Sequence, residues 1–565
     1  MKKRYLLFSF LLTLCSCNQT SEPSMPVAES DSSLQESEVV IDPSKMLAVI
    51  EGNNTSFNIV TGNIKAPTLQ IINKFISDFE VKYGITLSIN SDANNEIENE
   101  IVVGNIKTRV ETSLVSSILT PTAYGVKEAD GKIYVAGLTD DTIKEGLNHL
   151  LDCLLSYDNK YGIEKNYEFY GDAYMDTFVP KLTNTIGEYE NSYYSGDGNY
   201  QIAYKNSKYQ DFYDYGKLLE NQGFTQYFYN EIGENYFATY IKDDAMANIS
   251  FYYNSLRTHM VYGKKAYLPV EISSDNKLVS PTITHIQRHG SAQSSPGLSI
   301  VCQLIDGSYI IVDGGPTESK DEQILINFLK DNNPNSNELP KVRWFFTHAH
   351  HDHMGLAVSF LNNYHDQIDL ELFAYNFPDF NSLPIPSEPA NRIEDSKELI
   401  AEFEEVRNKY YHDVEVYKFH AGDKLMLPGC QIDVFLTHET FWPQEFSWIN
   451  HTSSAFKITN GNKSMLVLGD CEQTVCEYLA KLYETNIKCD ILQVTHHGLN
   501  GGYIPLYEYV DPSICLWPID KTRFETSDMC LGTKLGFEYN AWLRNESIRK
   551  RTHYHASQTT TIICE

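Results

Sequence analysis

The stretch THAHHDHMG, residues 347–355, places four histidines and one aspartate within nine consecutive positions, directly after the apolar run VRWFF. His348 and His350 are two apart, so in an extended segment both imidazoles point the same way and can grip one ion. Asp352 and His353 follow at a tight turn and can face a second ion. Neutral imidazoles with a carboxylate form a donor set that zinc accepts. His351 is left as a spacer. A lone histidine would carry no such implication, but the His-x-His-x-Asp-His spacing points to a metal centre at the end of a buried strand.

A centre of this kind needs strands to hold it, and the surrounding sequence provides them. SIVCQLIDGSYIIVDGG gives two apolar strands around Asp306-Gly307, the second ending at Asp313 and two glycines that let other groups approach closely. DEQILINFLK and LAVSFLNNY have helical spacing. Three later apolar runs, QIDVFLTHE, SMLVLGD and CDILQVTHHG, carry His438, Asp470 and the pair His496-His497 at their ends.

Asp313 followed by His348, His350, Asp352 and His353 resembles the metallo-β-lactamase superfamily, whose fold is an αββα sandwich with metals at one edge of two sheets. The resemblance implies that His348, His350 and His438 hold one divalent ion. It assigns Asp352, His353 and one of His496 or His497 to a second, with Asp470 bridging them. His451 in WINHTSS competes with His438 for the third position of the first site. Asp313 would support the loop through hydrogen bonds, and Asp352 would orient the nucleophile as well as ligate. Two cations about 3.5–4 Å apart can share a hydroxide, acidify its parent water and stabilise an oxyanion. Zinc is the expected ion, although the same ligands accept manganese or iron.

The two-zinc β-lactamases place a cysteine where this chain has Asp470, which argues against β-lactam cleavage. Asn450-His451-Thr452-Ser453, LVLGD and QVTHHG are closer to the branch that includes the hydrolase domain of bacterial DNA-uptake channel proteins and choline-phosphate esterase domains. That resemblance implies phosphodiester chemistry; Asn450, Thr452 and Ser453 are candidate contacts to a substrate oxygen, and a turn or strand start is their alternative role. Lactone or thioester hydrolysis on the same fold is the alternative, and a non-catalytic glycan-binding surface protein is a second. Against the latter, every expected ligand position has a usable donor. A flavo-diiron redox protein fits poorly, since no flavin domain is recognisable and His351-Asp352 stands where that pattern has a glutamate.

Composition narrows the substrate. The 565 residues carry 75 acidic against 45 basic side chains, a formal charge of -30. Neither a basic stripe nor a basic surplus is available for nucleic acid, so a small phosphoester on a lipid or surface glycan fits better. The first residues, MKKRYLLFSFLLTLCSC, have a basic start and an apolar stretch too short to span a bilayer. Leu14-Cys15-Ser16-Cys17 resembles the bacterial lipoprotein box, which implies cleavage after residue 16, lipid on Cys17, and an exported protein anchored to the cell-envelope membrane. A Ser-, Glu- and Pro-rich tether without aromatics follows to residue 44. The nine later cysteines form no metal-knuckle or dense disulfide pattern, and Cys471 and Cys476 read as buried thiols.

The chain is too long for one core. Residues 45–170 alternate strands and helices and form a small α/β accessory domain, similar to one found ahead of carbohydrate-active catalytic domains. Residues 171–280 form a tyrosine-rich, strand-rich connecting segment. There KLLENQGF is a short helix closed by Gly223, and RTHMVYGKKAYLPVEI suggests two strands around a glycine turn. Its aromatics suit strand packing, with a glycan platform as the alternative. Residues 281–565 form the catalytic sandwich. In the tail, a helix and strand over residues 501–520 precede His553 and His555, which either reach substrate or cap the sandwich.

Overall fold

Strands that are apolar at every position need cover on both faces, and the C-terminal half supplies it. The computed structural model describes residues 41–565 apart from 63, 65, 105–107, 110, 112–113, 115–122, 138, 173–185, 195–198, 266–271, 273–275, 289–296, 382 and 546–549. The expected export signal, Cys17 and most of the expected tether therefore lie outside the described residues.

Two seven-stranded sheets face one another. The first has the spatial order Glu415–Tyr417, Asp369–Ala374, Lys341–Phe345, Tyr309–Asp313, Ser299–Gln303, Thr282–His285, Thr560–Ile563. The second runs Lys424–Leu427, Cys430–Leu436, Ala455–Asn460, Lys463–Val467, Ile491–Gln493, Ile514–Trp517, Thr552–His555. Alternate residues divide between the two layers, as the strand pleat requires. Ile310 and Val312 meet Ile432 and Phe456 of the opposite sheet. Tyr309 and Ile311 share a core with Leu325 and Phe360 from the helices Ser319–Asp331 and His351–Asn363. On the other side Leu466 and Leu492 pack with Leu479 and Leu506 of Gln473–Tyr483 and Ile504–Val510. The result is an αββα sandwich.

Strand direction decides where side chains converge. Tyr309–Asp313 and Lys341–Phe345 are parallel neighbours, as are Lys463–Val467 and Ile491–Gln493. The segments carrying Asp313, His348–His353, Asp470 and His496-His497 each follow the carboxyl end of one of these strands. That edge is where α/β sheets place ligands.

Upstream, a six-stranded mixed sheet with helices Ala66–Tyr83 and Asp140–Cys153 encloses its own core around Ile59, Phe79, Val135 and Leu147. A second six-stranded sheet, antiparallel throughout, spans Glu188–Tyr194 to Arg257–Lys264, with helix Tyr209–Asn221 on one face. Its other face joins the sandwich: Phe237 and Tyr252 lie in the same core as Phe435 and Tyr483. Asn230 and Asn235 each donate a 2.8 Å hydrogen bond across the junction, to the carbonyls of Gly422 and Leu482. Gly263 does not turn the chain as expected. It sits inside Arg257–Lys264, paired with Met246. The segment's tyrosines divide, with Tyr200, Tyr215 and Tyr262 buried and Tyr209, Tyr213 and Tyr229 exposed.

Candidate metal centre

Asp313 organises the first ligand loop. It is fully buried in the left-handed region at φ 55, a conformation that costs a non-glycine residue energy and clusters at functional sites. Its Oδ1 accepts from the Thr347 amide at 2.8 Å, and its Oδ2 accepts from the Thr347 hydroxyl at 2.8 Å and from His353 Nδ1 at 2.7 Å. Those bonds orient Nε2 of His353 outward, toward Asp470 Oδ1 at 3.1 Å.

The second sheet contributes from the opposite side. A Cβ on Gly469 (φ 53) would lie 2.8 Å from Thr347 Cβ, so glycine is needed for the two loops to come this close. Its carbonyl accepts from the His496 amide at 3.1 Å and from Gln493 Nε2 at 3.0 Å, tying the Asp470 turn to the histidine pair. His496 and His497 themselves turn through left-handed geometry, at φ 46 and φ 58.

Two ligand groups result, and Asp470 belongs to both. Asp352, His353, Asp470 and His497 bring one ligating atom each within 4.8 Å of one another, and so do His348, His350 and Asp470. His497 Nε2 lies 3.3 Å from Asp352 Oδ2 and 3.4 Å from Asp470 Oδ2. His348 Nε2 and His350 Nδ1 stand 3.1 Å apart.

The donors fit cations. Nε2 of His350, His353 and His497 and Oδ1 of Asp470 are buried without a hydrogen bond, an arrangement that costs about 1–3 kcal/mol per atom when nothing is bound. Electrostatics agree. Burial drives His350 down to about 4, so it is a neutral donor at physiological pH. Burial would also raise the Asp470 carboxyl, but His353, His497 and His496 pull it well below the usual range. Against its own burial, His497 is held up at about 9 by Asp470 and Asp352.

The other expected residues are placed differently. His438, the expected third residue of the first site, begins the short helix His438–Phe441, has its Nε2 3.0 Å from Asn376 Oδ1, and stands outside both groups. The physical reason is lateral. Its strand, Cys430–Leu436, lies two places from Lys463–Val467 in the sheet, roughly 10 Å away at the usual strand spacing. His451 also stands outside both groups; its Nε2 lies 3.5 Å from Glu472 Oε2. Of the two final histidines, His497 belongs to one of the two groups that could hold an ion, while His496 borders the cleft with Nε2 3.8 Å from Asp470 Oδ2. Thr452 and Ser453 are buried braces: the Thr452 hydroxyl donates to the Ile449 carbonyl at 2.7 Å, and Ser453 Oγ accepts from the Asp470 amide at 3.2 Å. Asn450 does border the cleft. His553 and His555 sit in an edge strand, with His553 Nδ1 accepting from Trp517 Nε1 at 3.1 Å. Cys471 and Cys476 are buried free thiols.

The ligands open into a cleft of about 510 Å³ that also exposes Glu388, Arg392, Asp395, Trp448 and Glu472, none of them expected from sequence. Glu472 follows Asp470 by two residues and had that proximity as a signal. Glu388 and Arg392 come from a loop and a helix start without pattern.

No family model matches the sequence, and no curated protein matches it. Solved structures similar to the chain include a metallo-β-lactamase from Cronobacter sakazakii with a substituted HARLDQ motif, at 12% identity over 45% of this chain and 90% of that one, TM-score 0.23. A protein assigned as a metal-dependent hydrolase from Parabacteroides distasonis is 12% identical over 46% and 89%, TM-score 0.25. A long-form RNase Z from yeast is 8% identical over 41% and 34%, TM-score 0.26. At these values the strand order and the ligand geometry, not the likenesses, carry the description.

Proposed function

We propose that the chain is a metallo-β-lactamase-superfamily hydrolase with two divalent ions, acting on a phosphodiester at the cell surface. The observation that carries this is the sharing of Asp470 by two converging ligand groups at the carboxyl edge of the sandwich. His348 and His350 would hold one ion; Asp352, His353 and His497 the other; Asp470 both. Bound there, zinc or a similar ion supplies acidified water and positive charge for phosphoryl oxygens.

The chain's own residues set the rest. Asp313 and Thr347 fix the His353 tautomer, with Nδ1 committed to Asp313 and Nε2 free to ligate. Asp352 lines the cleft at the ligand floor and is placed to orient an incoming water. In hydrolysis that water's oxygen bonds to phosphorus, one P–O ester bond breaks, and the departing alkoxide takes a proton. The resemblance of Leu14-Cys15-Ser16-Cys17 to the lipoprotein box extends the proposal to an enzyme that would be exported and anchored to the envelope through Cys17.

The test is hydrolysis of bis(p-nitrophenyl) phosphate by the metal-loaded chain, alongside a lactone and a β-lactam. We expect diester turnover, a loss of at least about 100-fold in His350→Ala from the missing ligand, and retained folding in that variant. Lactone turnover without diester turnover would replace the phosphodiester reading.

A further inference from the structure

Beyond the ligand floor, the cleft wall has chemistry of its own, formed by Glu388, Arg392, Asp395, Trp448, Asn450 and Glu472. Three carboxylates stand against one guanidinium. Arg392 is a loose partner: its side chain is 63% exposed and Nη1 lies 3.8 Å from Glu388 Oε1, beyond hydrogen-bond reach. Asp352 and Asp470 at the floor would be offset by two divalent cations; at the wall Glu472 has His451 Nε2 at 3.5 Å, and among the described residues Glu388 and Asp395 have only Arg392. One end of the cleft is therefore suited to a phosphoryl group and the other to a cation.

Hydrogen bonding narrows the cation. Glu388 is only 7% exposed; Oε2 accepts from the Ile449 amide at 2.8 Å, while Oε1 is buried with no hydrogen bond. Asn450 is likewise 7% exposed; its Nδ2 donates to Glu472 Oε1 at 3.2 Å, while Oδ1 is buried with no hydrogen bond. Folded proteins satisfy nearly all such atoms, so two orphaned acceptors beside one cleft call for a ligand that donates. Trp448, next in sequence to the amide that Glu388 holds, is 38% exposed and offers an indole face to positive charge.

We infer that the substrate is a phosphodiester with one arm ending in a primary ammonium group. Its phosphoryl group lies at the ligand floor, and its N–H donors meet Glu388 Oε1 and Asn450 Oδ1. A quaternary ammonium brings charge without N–H, and a hydroxyl brings a donor without charge; each satisfies half of the wall. The inference rests on the phosphodiester reading above.

Three phosphate monoesters separate these terms when titrated calorimetrically into the zinc-loaded full chain: 2-aminoethyl phosphate, phosphocholine and 2-hydroxyethyl phosphate. We expect 2-aminoethyl phosphate to bind at least about tenfold more tightly than either of the others. Glu388→Gln should shrink its advantage over 2-hydroxyethyl phosphate to about threefold or less, and so, more weakly, should Asp395→Asn at an exposed position that tolerates substitution. Equal binding of phosphocholine would overturn the donor requirement, and equal binding of 2-hydroxyethyl phosphate the charge requirement. Turnover of bis(p-nitrophenyl) phosphate without any amine preference would overturn this inference alone. Failure to cleave any diester would overturn the phosphodiester reading and this inference with it.

Discussion

Asp470 is the residue on which both ligand groups depend. It is almost fully buried, pulled strongly toward the carboxylate form, and within 3.1–3.4 Å of His353 and His497. A carboxylate so placed has four lone-pair sites, enough to serve two ions at once. His497 and His438 provide a contrast within the same chain. Both are buried histidines beyond apolar strands, yet only His497 faces Asp352 and Asp470. Competition with a chromophoric zinc chelator should show His497→Ala weakening one binding step by at least about 100-fold, because a ligand is lost. His438→Ala should change neither step by more than about threefold, since Asn376 rather than an ion faces it. Strong weakening in His438→Ala would restore it as a ligand.

At the level of elements, the centre is a product of strand direction. Parallel neighbours bring their carboxyl ends to one edge, and left-handed turns at Asp313, Gly469 and His496-His497 aim the side chains back over it. Much of this was legible in sequence, because strands buried on both faces read as continuous apolar runs and each run ended in a donor. His438 shows where that reading stops. An apolar run ending in histidine says that the residue lies at an edge, but not how many strands separate it from the Asp470 cluster. Sheet order is set by long-range pairing, as is the entry of Glu388 into the cleft wall, and neither has a local signature. His285, in the strand Thr282–His285, shows a cost of the same burial. It is fully buried, and burial, with smaller contributions from His555 and Arg288, holds it neutral down to about 3. Its folded-state value is depressed, so the unfolded chain binds the proton first as pH falls. The stability it permits is complete above about 6.5 and is lost between there and about 3, at roughly 1.4 kcal/mol per pH unit. Denaturant unfolding at pH 7 and pH 5.5 should therefore show a smaller pH slope in His285→Gln than in the native chain; an unchanged slope would remove His285 as the cause.

Taken whole, the molecule places an acidic cleft on a layered support. The antiparallel sheet of the middle segment is more than a connection, since Phe237 and Tyr252 complete the sandwich core and the amides of Asn230 and Asn235 pin it there. The tyrosine count of that segment was visible in sequence, but its division into a buried face and exposed rings required the fold. A formal charge of -30 is compatible with a phosphate substrate only if the site carries its own cations, which reverse the field locally. The claim of two ions sharing one carboxylate is therefore central, and metal stoichiometry tests it most directly. After zinc loading and removal of excess, the purified chain should retain two equivalents, and Asp470→Asn at most one. A native chain that retains none, or an Asp470→Asn chain that keeps both, would contradict the account.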